Sequence, residues 1–111
     1  MSAHTLLTTL ALILPLAAAG CAPARYGAAR FSSTPPGAEV LDNRDKTPLG
    51  LTPLTVVWES DKGEPEHVTV RLRKSGYDEA SASFWLNTRY ESPEDAQADP
   101  QPVHMQLKES D

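Results

Sequence analysis

Between Phe31 and Leu86 the chain is punctuated by turn-forming residues at short intervals, and this spacing constrains the fold more than any other feature. The turns are Thr34-Pro35-Pro36-Gly37, Asp42-Asn43, Thr47-Pro48, Asp61-Lys62-Gly63 and Lys74-Ser75-Gly76. Each supplies Pro, Gly or Asx where the backbone must reverse. The runs between them alternate apolar and polar residues and predict strands at Arg30–Ser33, Glu39–Leu41, Thr55–Glu59, His67–Arg73 and Glu79–Leu86. No window carries an apolar stripe at helical spacing, and 10 Pro and 6 Gly weigh against long helices. The expectation is an all-β chain with almost no helix.

Two of these strands can be placed against each other. A hairpin turning at Ser75-Gly76 pairs Leu72 with Ala80, Val70 with Ala82 and Val68 with Phe84, which makes one apolar face. The opposite face then holds Arg73 with Glu79, Arg71 with Ser81, Thr69 with Ser83 and His67 with Trp85. Downstream, residues 91–102 are acidic, contain Pro and have no apolar side chain larger than Ala, so they read as a disordered loop. After it, Val103, Met105 and Leu107 alternate with His104, Gln106 and Lys108 and predict a last strand.

The amino-terminal segment has a different character. Residues 1–20 carry no Asp, Glu, Lys or Arg, and the apolar stretch from Leu6 to Ala19 is short for a membrane span. That is the form of an export signal. It ends in Leu16-Ala17-Ala18-Ala19-Gly20-Cys21, which resembles a bacterial lipobox. In such a site small residues admit the processing enzymes and the thiol accepts a diacylglycerol, so cleavage is expected between Gly20 and Cys21, with lipidation of Cys21. The alternative is ordinary cleavage after Ala19, which leaves Cys21 a plain thiol. Two or three acyl chains anchor stably where one does not. Ala22, in place of the Asp that retains such proteins at the inner membrane, points to the outer membrane facing the periplasm. Residues 21–30 read as a tether, with Arg25 and Arg30 near the headgroups.

Composition removes other classes. The 111 residues hold one Cys, three His and 10 Lys+Arg against 15 Asp+Glu, a net charge of −5. One Cys closes no disulfide within the chain and, with scattered His, makes no zinc site. An acidic chain without a cationic run is a poor partner for nucleic acid. His4 leaves with the leader, while His67 and His104 fall on solvent faces. No spacing supports a Ser-His-Asp set, a phosphate loop or a metal site, so no catalytic residue, metal or cofactor is expected.

From Ser33 to Tyr77 the blocks occur in a recognisable order: Pro35-Pro36-Gly37-Ala38-Glu39-Val40, Asp42-Asn43, Gly50-Leu51-Thr52-Pro53-Leu54, His67-Val68-Thr69-Val70 and Gly76-Tyr77. Together they resemble the PEGA domain. The likeness covers residues 31–86, with a longer turn after Asp42 and Gly63-Glu64-Pro65-Glu66 in place of the usual Pro-Gly before the His. It implies a small antiparallel β-sandwich of immunoglobulin- or transthyretin-like architecture, here spanning 31–108. It implies no reaction, because the motif residues are turn-formers.

Trp58, in line with Val56, is expected in the core. Trp85 is on the polar face, where it is either covered by another segment or free to stack on a sugar ring or a protein. Coverage by the tail strand Val103–Leu107 or by a loop is the expectation, and Trp85, Arg71 and His67 are the candidate contact residues if it fails. The reading is a non-enzymatic, lipid-anchored envelope protein carrying a binding or assembly module for a protein or glycan. Two rivals are a soluble exported carbohydrate-binding module and an accessory subunit docked by β-addition at a sheet edge.

Overall fold

A computed structural model describes residues 24–61 and 63–111. Two sheets pack face to face. The strands are β1 (Arg25–Thr34), β2 (Glu39–Asp42), β3 (Pro48–Leu51), β4 (Leu54–Ser60), β5 (Glu66–Arg73), β6 (Ala80–Leu86) and β7 (Gln101–Gln106), with one short helix, α1 (Pro93–Ala98), before β7. One sheet has the order β4-β1-β7 and the other β3-β2-β5-β6. The chain is therefore an all-β sandwich. Its pairings are antiparallel except one, because β7 runs parallel to β1 with Phe31 opposite Val103.

The core lies between the sheets. Ala29 and Phe31 of β1 and Trp58 of β4 meet Val40 of β2, Val68, Val70 and Leu72 of β5, and Leu86 of β6. Phe31 stands edge-on to Trp58 at 6.2 Å and to Phe84 at 5.8 Å, so one ring ties both sheets together. The β5–β6 register is the one that alternation predicts, from Leu72 opposite Ala80 to His67 opposite Trp85. Gly76 turns that hairpin at φ 84° and Gly37 turns β1 into β2 at φ 88°, both in the region that favours glycine.

A buried hydroxyl relay closes the β1–β2 turn. Thr52 Oγ1 accepts the N–H groups of Gly37 at 3.1 Å and Ala38 at 3.0 Å, and it meets Ser33 Oγ at 2.6 Å. Ser33 Oγ in turn donates to the Pro35 carbonyl at 2.8 Å. The Gly-Leu-Thr-Pro block thus contributes a polar plug as well as the extended lead into β4.

Several sequence expectations need correction. Residues 25–30, read as tether, are the first half of β1, and Ala28 and Ala29 there are buried. Gly27 passes so close to β6 that a methyl at its Cα would sit 1.9 Å from the Asn87 carbonyl oxygen. The 91–102 segment, read as disordered, contains α1. Ser92 caps it by accepting the Asp95 N–H at 3.1 Å, and Ala96 is fully buried. Helix α1 packs against β1 and β4. Pro48–Leu51, where no strand was expected, pairs with β2 as an edge strand. Among the described residues no helix is long and apolar enough to cross a membrane. Gly20 and Cys21, with the whole leader, lie outside the described residues.

Candidate functional face

The outward side of the β3-β2-β5-β6 sheet is uncovered among the described residues. It is organised as rungs of cross-strand pairs because β5 and β6 place every second side chain outward. At one end Arg73 bonds Glu39 on β2, and Arg71 bonds Glu79 through its Nε at 2.8 Å. In the middle Thr69 Oγ1 and Ser83 Oγ share a hydrogen bond of 2.8 Å. At the other end the His67 and Trp85 rings lie 5.0 Å apart at 60°. The expected Arg73–Glu79 pair is not formed. Both residues are on this face, but β2 brings Glu39 directly opposite Arg73, leaving Glu79 to Arg71.

Trp85 is 66% exposed, so the expected cover is absent. The reason is topological: β7 joins β1 on the other sheet, and Gln101 is the β7 residue that hydrogen-bonds to β6 and the residue after it. Its side-chain amide donates to the Trp85 carbonyl at 3.0 Å and accepts the Asn87 N–H at 2.7 Å. It closes the end of the β6 edge as a strand residue would, while leaving the indole bare. Trp58, by contrast, is 9% exposed and in the core as expected.

The candidate residues Trp85, His67 and Arg71 therefore share one face, though not one cavity. Trp85 and His67 form a corner where β5 begins and β6 ends, and Arg71 belongs to the charged end. Beyond it a shallow groove of about 680 Å³ is lined by Gly37, Leu51, Arg73, Lys74 and Tyr77. Sequence reasoning missed this groove because three separated segments build it. Leu51, 60% exposed, is its apolar wall and the only other large apolar side chain so open among the described residues. The guanidinium of Arg73 is held above its ordinary pKa, first by the hydrogen bond to Glu39 and then by that carboxylate's charge. The two ion pairs leave the face with little net charge.

A second arrangement lies on the other sheet. Its parallel β1–β7 register sets His104 between two hydroxyls, Ser32 Oγ at 2.8 Å from Nδ1 and Thr34 Oγ1 at 3.2 Å from Nε2. The third member is a hydroxyl where nucleophile activation would need a carboxylate to orient and charge-stabilise the imidazole. These contacts fasten the exposed side of a parallel pair. Among the described residues no group of three His, Cys, Asp or Glu is placed to hold a metal ion.

Comparison with protein families, curated proteins and solved structures gives no match for this chain.

Proposed function

We propose that this chain is a non-enzymatic, lipid-anchored protein of a bacterial cell envelope, held at the outer membrane through acylated Cys21. Its sandwich is a PEGA-like contact module for a protein or glycan partner. The observation that carries the contact reading is the uncovered face of β3-β2-β5-β6, with both strongly exposed large apolar residues, Leu51 and Trp85, on it. Its paired charges suit a partner recognised by shape and apolar contact rather than by net charge. The block order from Pro35 to Tyr77 supports the modular reading, and Gly20-Cys21 after an apolar leader supports the anchor.

Two measurements test the halves separately. Mass spectrometry of the mature amino terminus should find acylated Cys21, and an unmodified terminus beginning at Gly20 overturns the anchor. Photo-crosslinkers placed in cells at Leu51 and Ser83 should capture one defined molecule that a crosslinker at His104, on the opposite face, does not. Equal capture from both faces overturns the contact surface. Trp85→Ala should leave the melting temperature within a few degrees, whereas Trp58→Ala should cost about 3–5 kcal/mol.

A further inference from the structure

The position of Trp85 relative to the chain entry gives that face a direction. Strand β1 begins at Arg25, opposite Ser60, the last residue of β4. Gly27 lies against the Asn87 carbonyl, which follows β6, and Glu66 at the start of β5 is opposite Leu86 at the end of β6. One end of the sandwich thus gathers the entry of β1 with His67 and Trp85. The groove of Leu51 and Tyr77 belongs to the other end, roughly 20 Å along β5 at strand rise.

We infer that the Trp85–His67 corner docks on the surface of the bilayer that holds the lipid anchor, and that the groove end faces away from it. The inference rests on the proposal that Cys21 is acylated. Only Ala22, Pro23 and Ala24 separate Cys21 from β1. That is a chain reach of at most about 14 Å, so the entry end cannot leave the headgroup zone. The side chain exposed beside that end is an indole, whose apolar body and polar N–H suit the membrane–water boundary. The His67 ring packs beside it at 5.0 Å, so one side of the indole already has a neighbour before it docks. The surrounding charge selects the headgroup. Glu64 and Glu66 precede His67, and Glu59, Asp61 and Glu91 are at the same end with Arg25 and Arg89. An acidic rim is repelled by anionic lipid, which leaves a zwitterionic surface as the occupant.

The test uses the acylated full-length protein on phosphatidylcholine vesicles with lipids brominated near the headgroup. In a Trp58→Phe protein, Trp85 is the only tryptophan, and excitation at the red edge of the absorption band selects it over the three tyrosines. Its emission should shift to the blue, lose iodide quenching and gain bromine quenching relative to unacylated Cys21→Ser protein in solution. Should Trp58→Phe unfold the core, the difference between the wild-type and Trp85→Phe proteins gives the same readout. If acylated protein sediments with vesicles while Trp85 emission stays as in solution, the docking inference is overturned and the anchor stands. If acylated protein does not sediment with vesicles, both fall. Stronger shielding on phosphatidylglycerol than on phosphatidylcholine overturns the headgroup assignment.

Discussion

Gly27→Ala is the sharpest test of where the folded domain begins. A methyl group there would sit 1.9 Å from the Asn87 carbonyl oxygen and 2.9 Å from its carbon. Side-chain Cβ atoms are essentially never found within 3.0 Å of another atom, so backbone must move by more than 1 Å. Neither partner yields easily. Gly27 is opposite Trp58 in the β1–β4 ladder, and the Asn87 N–H is bonded to Gln101 Oε1 at 2.7 Å. Overpacking costs typically ~1–3 kcal/mol, and with backbone as the obstacle the upper end, about 3 kcal/mol, is expected. For a domain of this size total stability is on the order of 4–13 kcal/mol. Each kcal/mol moves the melting temperature by about 4–8 °C, so the expected fall is roughly 12–24 °C. Thermal melts by circular dichroism read it directly. Gly76→Ala is the control: its φ is 84° and nothing lies within 4 Å of an added methyl, so only backbone strain of ~1–2 kcal/mol opposes it. A Gly27→Ala protein that melts within about 3 °C of the parent, or above Gly76→Ala, would refute the placement of β1 and return residues 25–30 to a tether.

Thr52→Val should cost about 2 kcal/mol, because it leaves the buried Ala38 N–H without its acceptor; a melt equal to the parent's would show that the relay contributes nothing. Ala96→Glu puts a carboxylate under α1, where the native residue is fully buried. It should make 91–100 the first site of limited proteolysis, and unchanged cleavage would mean that α1 does not pack. Asp45 is held below the ordinary Asp range by its hydrogen bonds from Thr47, the backbone one at 3.1 Å. The 42–47 turn should therefore be fully supported above the unfolded Asp value and lose that support as pH falls through the lower folded value. An Asp45 titration by NMR that matches an unfolded peptide would remove the effect.

Where one face alone is buried, the sequence was readable. A one-residue slip of β6 against β5 would turn Ala80, Ala82 and Phe84 away from the core face of Val68 and Val70, so alternation specifies the register. The tail strand was readable as a strand for the same reason, but its partner was not: a parallel pairing with β1 depends on how the chain crosses the end of the sandwich. The start of β1 was misread because Gly27, Ala28 and Ala29 look like spacer. They are small because that strand is approached closely, by Asn87 at Gly27 and by α1, which packs on β1. Helix α1 had a signature that acidic composition obscured, namely Ser92 at the cap, Pro93 in the first turn, then Glu94 and Asp95. For β3 there was no usable signal, since Pro48 and Gly50 suit an edge strand and a turn equally.

The proposed contact face was legible by a similar division. Alternation put Trp85 outward, and pairing put His67 beside it. Whether anything covered them was a question about β7, which begins at Gln101, well beyond the end of β6 at Leu86, and no periodicity answers it. The groove was still further from reach, since Gly37 in the β1–β2 turn, Leu51 at the end of β3 and Tyr77 after the β5–β6 turn come together only in the folded sheets. These separate origins bear on how the two ends act. The Trp85 corner is built on regular strands, with His67 beside the indole and the Gln101 clasp on its backbone. The groove is built mainly on turns, whose side chains adapt at low cost. An aromatic held on strands suits a surface that is always present, such as the membrane, and an adaptable groove suits a partner that comes and goes.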